Sequence, residues 1–497
     1  MDDFSDTPNS VPLRLTTLDQ LPSSIARPVY DRAALSPGIV HIGLGNFHRG
    51  HQAWYLHRLM QQGYAQDWAI IGAGVRPYDR AMRDKLLAQD CLTTLIELDP
   101  ARVSAEITGS MIDYLPIEPD NAALIAQMAD PRIRIVSLTV TEGGYFQTSE
   151  GKFDLDHADI RHDAAHPRTP RTAFGAMVEA LRLRRAAGSG PFTAMCCDNL
   201  QNNGAILKQC LLGLARLTDA DLAAWIEAEV AFPNAMVDCI VPATGADVLA
   251  QARLLGIADD APVSHEPFRQ WVIEDRFCAG RPPWERVGAT LTQDVHSYEA
   301  MKIRILNGGH QLLANVGEVL SIPTIGACMR DEEIAGFFSR VQREEILPCV
   351  DAVPGMSGEA YLDLVARRFS NPKIHDTTRR VAFDGSSRHA GFLLPSVRDA
   401  LAAGRSVSGL ALAEALWARM CAGTREDGSA IEPNDPFWSD LTAVAQAARS
   451  APRAWIEQDM PYGQLASEPA FAEPFADWLD LLWREGCRAT LARYAAS

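Results

Sequence analysis

The chain has 497 residues, of which 47% are hydrophobic and 22% are charged, as in an ordinary globular protein of enzyme size. This length exceeds what a single hydrophobic core usually supports, so two or three domains are expected. The formal net charge of −17 argues against binding to nucleic acids and to anionic membrane surfaces. We therefore expect neither a nucleic-acid partner nor a membrane partner.

The compartment is indicated by the first residues and by the cysteines. The chain starts with Met-Asp-Asp-Phe-Ser-Asp-Thr-Pro, which is too acidic and polar for a secretory signal or an Arg-rich transit peptide. The sequence contains no run of about 18 apolar residues, the length that is needed to span a bilayer. The ten cysteines are scattered from Cys91 to Cys487 without a C-x-x-C pair, so we expect reduced thiols and a cytoplasmic protein.

The first chemical motif follows a polar, Pro-spaced segment, residues 1–36, that we expect to form an irregular arm. A β-branched run ends in Gly43-x-Gly45 and passes into a helix-prone segment, residues 47–60. Strand, tight turn and helix in this order bind the pyrophosphate of a dinucleotide through backbone N–H groups. His48 occupies the place of the usual third glycine, and an ordinary strand-to-helix turn remains the alternative.

A second strand is predicted at residues 68–75, and dinucleotide folds place an acidic residue after it to bind the adenosine ribose. Asp79 is the nearest candidate, with Asp67 as the next. The alternative for Asp79 is a simple helix N-cap.

The pattern then alternates up to residue 288, with several polar segments where strands end. We expect strands at 91–97, 102–109, 133–140, 192–197 and 268–273, helices at 119–129 and 173–187, and a long surface loop at 150–172. Ligands bind at the carboxyl ends of strands in open α/β sheets, so the loops containing Glu142 and Asn199 are candidates. Asp238 is a single carboxylate in the apolar run 232–242 and needs a partner, either a ligand or a structural ion pair.

From Tyr298 onward the sequence is almost wholly helical. We expect helices at 298–320, 331–346, 358–369, 393–403, 408–423, 437–449 and 472–494. The basic, Gly- and Ser-containing segment 379–388 is expected to be a solvated loop. The sequence thus predicts an α/β fold in which a Rossmann-type dinucleotide-binding domain, residues 1–288, precedes a mostly α-helical substrate domain, residues 289–497.

One stretch of the second domain, Tyr298 to His310, carries most of the polar chemistry. As an α-helix at about 100° per residue, it places four polar side chains within roughly 140° of one face: Glu299, Lys302, Asn307 and His310. Gly308 and Gly309 each cost about 1 kcal/mol relative to Ala in a helix, which indicates that a ligand or a crossing helix approaches closely. The alternative is a solvated helix face with a Gly-Gly break.

A nucleotide domain suggests hydride transfer, and oxidation of a secondary alcohol needs a base for the hydroxyl proton. A zinc site would require clustered Cys, His and carboxylate ligands, and no such spacing occurs, so no metal is expected. Tyr298-x-x-x-Lys302 matches the tyrosinate–lysine pattern of short dehydrogenases, but it lies far beyond a short nucleotide domain. An amine desolvated in a closed site becomes a competent base, and Lys302 fits that role.

Five motifs in order carry a family resemblance: Gly43-x-Gly45-x-Phe47-His-Arg, Ser137-Leu-Thr-Val-Thr-Glu-Gly-Gly-Tyr145, Cys197-Asp-Asn-Leu200, Phe232-Pro-Asn-Ala-Met-Val-Asp238 and Lys302-x4-Asn307-x2-His310. From about residue 36 to the C-terminus the chain resembles the mannitol 2-dehydrogenase family of polyol-specific long-chain dehydrogenases. The resemblance implies a metal-independent, NAD-dependent oxidoreductase that interconverts a polyol and a ketose. D-mannitol with D-fructose, D-arabinitol and sorbitol are the expected substrate types, and the protein is expected to be a monomer or a small homo-oligomer.

The resemblance also implies roles for individual residues. Lys302 would be the general base, Asn199 and Asn307 would bind the reacting oxygen, His310 would bind substrate, and Glu299 would connect Lys302 to bulk water. The substrate-binding residues would be Asp238, Arg380 and Arg388. The cofactor-binding residues would be Gly43, Gly45, Asn46, Phe47, His48, Arg49, Asp79 and Glu142.

The chain departs from the family pattern at two places and leaves an alternative open. Cys239 stands where the family usually has arginine, and Tyr78-Asp79 replaces an acidic pair after the second strand. The family also contains hexuronate reductases acting on fructuronate or tagaturonate, and Arg380 and Arg388 could bind such a carboxylate. A catalytically silent nucleotide-binding sensor is the alternative outside the enzyme class.

Overall fold

The computed structural model describes residues 10–148, 151–458 and 461–497. It divides into two compact units, Met1–His296 and Ser297–Ser497, so the division falls eight residues after the predicted boundary. No helix in the described ranges is long and apolar enough to cross a membrane.

A five-stranded parallel sheet forms the centre of the N-terminal unit. In spatial order its strands are β6 (Met111–Tyr114), β3 (Ala69–Ala73), β2 (Pro37–Ile42), β7 (Ile135–Leu138) and β8 (Thr193–Cys196). Four of these strands match predicted ones, whereas the edge strand β6 was not predicted. Strand order reverses between β2 and β7, where doubly wound sheets open a crevice for ligands.

Both faces of this sheet are covered, which explains its nearly continuous apolar strands. Successive residues point to opposite sides: Ile39 and Ile135 join one core cluster, and Val40 and Val136 join the other. The helices of this unit are α1 (Asn46–Gly50), α2 (Gln52–Gln61), α3 (Asp79–Ala88), α4 (Ala122–Ala129), α5 (Ala158–Ala165), α6 (Ala173–Ala187), α7 (Asn203–Thr218), α8 (Ala220–Glu229) and α9 (Ala246–Leu254).

Three smaller sheets complete the N-terminal unit. Their strands are β1 (Val11–Pro12), β4 (Thr93–Leu98), β5 (Val103–Thr108), β9 (Ala235–Asp238), β10 (Ile257–Ala258), β11 (Val263–His265), β12 (Gln270–Glu274) and β13 (Thr290–Thr292). β1 pairs with β10, β4 lies between β11 and β5, and β12 lies between β13 and β9. Pairing with β10 anchors the described part of the N-terminal arm, residues 10–36, which also contains two 3₁₀ turns and a bridge from Ala26 to Glu106.

Two predictions for this unit were wrong in detail. Segment 150–172 is not a loop throughout, because it contains α5. The buried Asp163 carboxylate on α5 accepts hydrogen bonds from the N–H groups of Arg171 and Thr172, at 2.7 and 3.0 Å. These bonds attach the polar helix α5 to the backbone that follows it. The helix predicted at 47–60 is interrupted at His51, whose φ and ψ of −124° and −85° separate α1 from α2.

Helices are the main regular structure of the described residues of the C-terminal unit, with isolated bridges between some of its loops. Its α-helices are α10 (His296–Met301), α11 (Gly308–Val319), α12 (Ile325–Arg330), α13 (Glu332–Val341), α14 (Gly358–Phe369), α15 (Thr378–Ala382), α16 (Gly385–Arg388), α17 (Leu394–Ala402), α18 (Ser408–Cys421), α19 (Trp438–Ala448) and α20 (Pro469–Ala496). Three π-helical segments interrupt them, at Lys302–Asn307, Gln342–Ile346 and His389–Leu393.

The segment predicted as a solvated loop, 379–388, was also assigned wrongly. It folds into α15 and α16, and Thr377 is the N-cap of α15, where its hydroxyl accepts the N–H of Arg380 at 3.2 Å. The backbone N–H of Asp384 donates to the Asn434 carbonyl at 2.8 Å between the two helices. These contacts compensate for the low helix propensity of its Gly-Ser-Ser sequence.

Candidate active site

The turn after β2 contains two glycines that serve different purposes. Gly43 has a φ of +95°, and a Cβ there would clash with the carbonyl oxygen of Thr139, so the chain itself requires glycine. Gly45 is exposed with an extended φ of −80°, and a Cβ there would meet no atom within 4 Å. Glycine at 45 is thus not needed for packing, which fits a turn that a bound ligand approaches closely.

The four residues after this turn have their side chains occupied by the protein. Asn46 donates to the Pro242 carbonyl at 3.0 Å and the Thr244 hydroxyl at 2.9 Å, and Phe47 stacks on His51. Arg49 is buried and donates to Asn46 Oδ1 at 2.8 Å; burial lowers its pKa to about 10.

His48, at the place of the missing third glycine, is also buried. Its ring stacks on that of His41 at 3.4 Å between centroids, and desolvation holds its pKa well below the ordinary value. The imidazole of His48 and the guanidinium of Arg49 are therefore buried in the core, and the contact of these residues with a cofactor stays a prediction. Only backbone groups of these two residues remain for that role.

Asp79 and Asp67 lie at opposite ends of β3. Asp79 is the first residue of α3, beyond the carboxyl end of the strand, and its carboxylate accepts the N–H of Arg76 at 3.0 Å. Asp67 precedes the strand and pairs with Arg134 at 2.8 Å. Ligands of such sheets bind at the carboxyl ends of strands, and Asp79 lies at that end of β3 whereas Asp67 lies at the other. The contact of Asp79 with a ribose stays a prediction.

The loops after β7 and β8 are joined by one carboxylate that sequence reasoning assigned no role. Asp198 accepts the N–H groups of Val140 and Thr141 at 3.0 and 2.9 Å and the hydroxyl of Tyr145 at 2.6 Å. The next residue, Asn199, is exposed at the carboxyl end of β8. The backbone of Glu142 lies in the joined loop, whereas its side chain lies outside what the structure describes. Asp238 is buried at the end of β9.

In the C-terminal unit, the helix that carries Lys302 is not a regular α-helix. Its central six residues, Lys302–Asn307, form a π-helix, in which hydrogen bonds span five residues instead of four and a turn takes about 4.4 residues. Lys302 and Asn307 are then separated by about 50° around the axis, rather than the roughly 140° of an α-helix. The arc holding all four polar side chains narrows to about 70°, half the width expected from regular periodicity.

The same segment is largely shielded from water. Glu299 and Lys302 are 4% and 7% exposed. The side-chain oxygen of Asn307 is buried and receives no hydrogen bond from the described residues. One helix face therefore carries a buried amine, a buried carboxylate and a half-buried amide.

The two glycines after this segment are explained by crossing helices. A Cβ on Gly309 would lie 2.7 Å from the side-chain nitrogen of Gln342, and one on Gly308 would lie 3.3 Å from Leu393. Gln342 donates to the carbonyl of Ile305, at 2.8 Å, inside the π segment. The sequence predicted that either a ligand or a crossing helix approaches these glycines. Close packing of helices accounts for both of them.

His310, Arg380 and a carboxylate that sequence reasoning missed form a cluster. The carboxylate belongs to Asp376, which is 6% exposed; it accepts from Arg380 Nε at 2.8 Å and lies 3.8 Å from His310 Nε2. The His310 ring stacks on Phe369 at 4.1 Å. Arg388 donates to the Val381 carbonyl at 2.5 Å, next to Arg380. No sequence pattern distinguished Asp376 from a surface residue.

Comparison with known proteins places these units in one family. Residues 37–286 match the model described as mannitol dehydrogenase Rossmann domain, and residues 294–483 match the mannitol dehydrogenase C-terminal domain. The chain belongs to the mannitol dehydrogenase family. The predicted resemblance and the Rossmann-plus-helical fold class are both confirmed.

Individual members of the mannitol dehydrogenase family are similar over nearly the whole chain. A mannitol 2-dehydrogenase of Cereibacter sphaeroides is 55% identical, over 95% of this chain and 99% of its own length. The ternary complex of Pseudomonas fluorescens mannitol 2-dehydrogenase with NAD and D-mannitol is 39% identical, with a TM-score of 0.87, covering 98% of this chain and 100% of that one. A substrate-free D-sorbitol dehydrogenase has a TM-score of 0.90 at 36% identity, covering 97% and 100%. The prediction of an oxidoreductase is confirmed by this family membership.

Among the described residues, no group of three or more His, Cys, Asp or Glu side chains is arranged to hold a metal ion. The ten cysteines all lie in the described ranges, and none forms a disulfide bond.

Proposed function

We propose that this protein is an NAD-dependent, metal-independent dehydrogenase that interconverts a polyol and a ketose of the D-mannitol/D-fructose type, with Lys302 as general base. The observation that carries the proposal is the π-helical segment, which presents the buried amine of Lys302 and the half-buried amide of Asn307 on one face. In the proposed division, residues 1–288 bind NAD and residues 289–497 bind the substrate. The names of the relatives and the NAD and D-mannitol bound to one of them support this assignment.

The residues after β2 and β3 fit a dinucleotide. Gly45 leaves open space at the turn, the N–H groups of the following residues are the donors for a pyrophosphate, and Asp79 is the acceptor for ribose hydroxyls. NAD supplies the acceptor for the hydride that leaves the substrate carbon. Glu142 is retained as a proposed cofactor contact on the strength of its loop position.

The proton chemistry is assigned to the chain's own side chains. Neutral Lys302 accepts the hydroxyl proton of the polyol as the substrate carbon loses its hydride, so the oxygen becomes the ketose carbonyl. Asn307 and Asn199 donate hydrogen bonds to the oxygen while its negative charge develops. Glu299, one helical turn before Lys302, passes the proton from the ammonium group to water. In ketose reduction the same groups act in reverse.

The surroundings of the two arginines favour a neutral substrate over a hexuronate. Arg380 is already paired with the buried Asp376, and Arg388 donates to backbone carbonyls. Asp238 adds a further buried carboxylate among the proposed substrate residues. Like charges repel a substrate carboxylate, so polyol and ketose are preferred to fructuronate and tagaturonate. The thiol state of the ten cysteines, which form no disulfide bond, supports the proposed cytoplasmic location.

The proposal is tested by following NADH absorbance with purified protein and matched pairs of substrates. D-fructose and D-fructuronate are the decisive pair, because they differ only in the group at C6. We expect D-fructose and D-mannitol to have much the higher kcat/KM, with KM nearly independent of salt, before and after treatment with a chelator. A higher kcat/KM for the uronate, or activity that zinc restores after chelation, would refute the proposal.

A further inference from the structure

The cluster around Asp376 contains a buried negative charge for which the proposed reaction has no use. Arg380 donates to a single oxygen of Asp376, Oδ1, through both Nε at 2.8 Å and a terminal nitrogen at 2.6 Å. The other oxygen, Oδ2, faces His310 Nε2 at 3.8 Å and receives no hydrogen bond from the described residues. The carboxylate thus connects two proposed substrate-binding residues.

The exposures of the two charged groups differ strongly. Asp376 is held inside the unit, and its backbone carbonyl accepts the N–H of Ile325 at 2.9 Å, so its position is fixed. The Arg380 side chain is 65% exposed. Arginine has five N–H donors in a planar fork, and Asp376 occupies one edge of it. Arg380 therefore still has N–H groups that point to the surface of the unit, although the Asp376 carboxylate compensates its charge.

This arrangement changes what an arginine can recognise. An uncompensated guanidinium binds a carboxylate through paired, charge-assisted hydrogen bonds, whereas a compensated one competes for anions poorly and still donates to hydroxyl oxygens. We propose that Asp376 is a specificity-determining residue, which makes Arg380 a donor for the hydroxyl groups of a neutral polyol or ketose and rejects substrates that carry a carboxylate. This inference rests on the proposed function, because it assumes that Arg380 contacts the substrate.

Asp376 also restrains His310. Because Oδ2 faces Nε2, it favours the tautomer with the proton on Nε2 and the lone pair on Nδ1. Stacking on Phe369 fixes the plane of the ring. Burial raises the pKa of Asp376, and the charge of Arg380 opposes that rise. A simple structural role, in which Asp376 only stabilises the start of α15, is the competing explanation.

The test compares D-fructuronate with D-fructose in Asp376→Asn, which keeps the side-chain shape and removes the charge. We expect the ratio of kcat/KM for the uronate to that for fructose to rise by about ten- to a hundredfold, the gain from one or two charge-assisted hydrogen bonds. The KM of the variant for fructuronate should increase with ionic strength. Asp363→Asn is the matched control, because Asp363 pairs with Arg343 at 2.9 Å in the same unit but belongs to no proposed site.

A second variant predicts a shift in the opposite direction. Arg380→Gln leaves the carboxylate uncompensated, so the same ratio should fall at least tenfold. In the double variant Asp376→Asn/Arg380→Gln, the gain of the first substitution should disappear. Because the two single variants move the ratio in opposite senses, either one tests the proposal if the other does not fold.

The results separate this inference from the proposed function. Turnover of D-fructose by the unmodified protein tests the proposed function, whereas the change of ratio between variants tests the role of Asp376. The dissociation constants of D-fructuronate and D-fructose are also measured by calorimetry with NAD present. Their ratio gives a second readout that does not depend on turnover. A ratio within twofold of the unmodified protein in Asp376→Asn, with both substrates weakened equally, would establish the structural role and overturn the inference.

Discussion

Mild acid should destabilise the N-terminal unit, because four of its histidines are buried without charge. Desolvation lowers the pKa of His41, His57 and His265 to about 3, and that of His48 falls well below the ordinary value. In the unfolded chain each titrates near 6.5. The unfolded state therefore binds more protons below pH 6.5, so the stabilisation is complete above that pH and is lost as the pH falls from 6.5 toward 3.

The magnitude follows from proton linkage. One pH unit below 6.5, each buried neutral histidine costs about 1.4 kcal/mol of folding free energy. Four such residues cost roughly 5 to 6 kcal/mol at pH 5.5, which is comparable with the whole net stability of an ordinary domain. We therefore expect the N-terminal unit to unfold, at least partially, at a pH where most enzymes remain folded.

Hydrogen exchange measured by mass spectrometry at pH 7.5 and 5.5, corrected for intrinsic rates, reports the stability of the central sheet separately from the C-terminal unit. His57→Gln keeps a polar partner for the hydroxyl of Tyr30, which lies 2.8 Å from His57 Nδ1. This substitution should reduce the loss of folding free energy between pH 7.5 and 5.5 by about 1.4 kcal/mol. His166→Gln, at an exposed position, should change nothing. Equal protection at the two pH values, or equal effects of the two substitutions, would refute the argument.

Further substitutions test the site and its packing. Lys302→Ala should lower kcat at least a hundredfold while NADH binding, measured by fluorescence, stays unchanged; turnover within a few-fold of normal would exclude it as the base. Gly45→Ala should leave the melting temperature unchanged and raise the KM for NAD, because its Cβ meets only the open space at the turn; a lowered melting temperature would contradict this. Gly309→Ala should cost about 1–3 kcal/mol in urea unfolding through its clash with a crossing helix, whereas Gly336→Ala, which meets nothing within 4 Å, should stabilise α13 slightly. Asp79→Ala should narrow the preference for NAD over NADP through KM, and an unchanged ratio of kcat/KM would assign that role elsewhere.

Much of the fold could be predicted because its signals are local. The apolar run that ends in Gly43-x-Gly45 specified strand, turn and helix start, since only glycine adopts the φ of +95° found at Gly43. Periodicity predicted α6 and α14 with their observed bounds. Burial on both faces made the strands of the parallel sheet recognisable as continuous apolar runs. The order of five motifs likewise indicated the family from the sequence alone.

Other features could not be predicted because they depend on residues far apart in the chain. In the π-helical segment that begins at Lys302, the Ile305 carbonyl accepts a hydrogen bond from the side chain of Gln342, 37 residues further along the chain. Hydrophobic periodicity gives no information about such a bond. The stacking of the buried His48 ring on His41 likewise depends on tertiary packing, because the two residues lie on different elements.

Asp376 illustrates the same limit at the candidate site. The sequence determined which side chains are present and which helices carry them, because capping, turns and amphipathic periodicity act within a few residues. Only the tertiary structure decided that a buried carboxylate lies against Arg380 and His310. Burial and charge compensation arise from elements that meet only after the chain has folded, and the chemical character of each polar group depends on them.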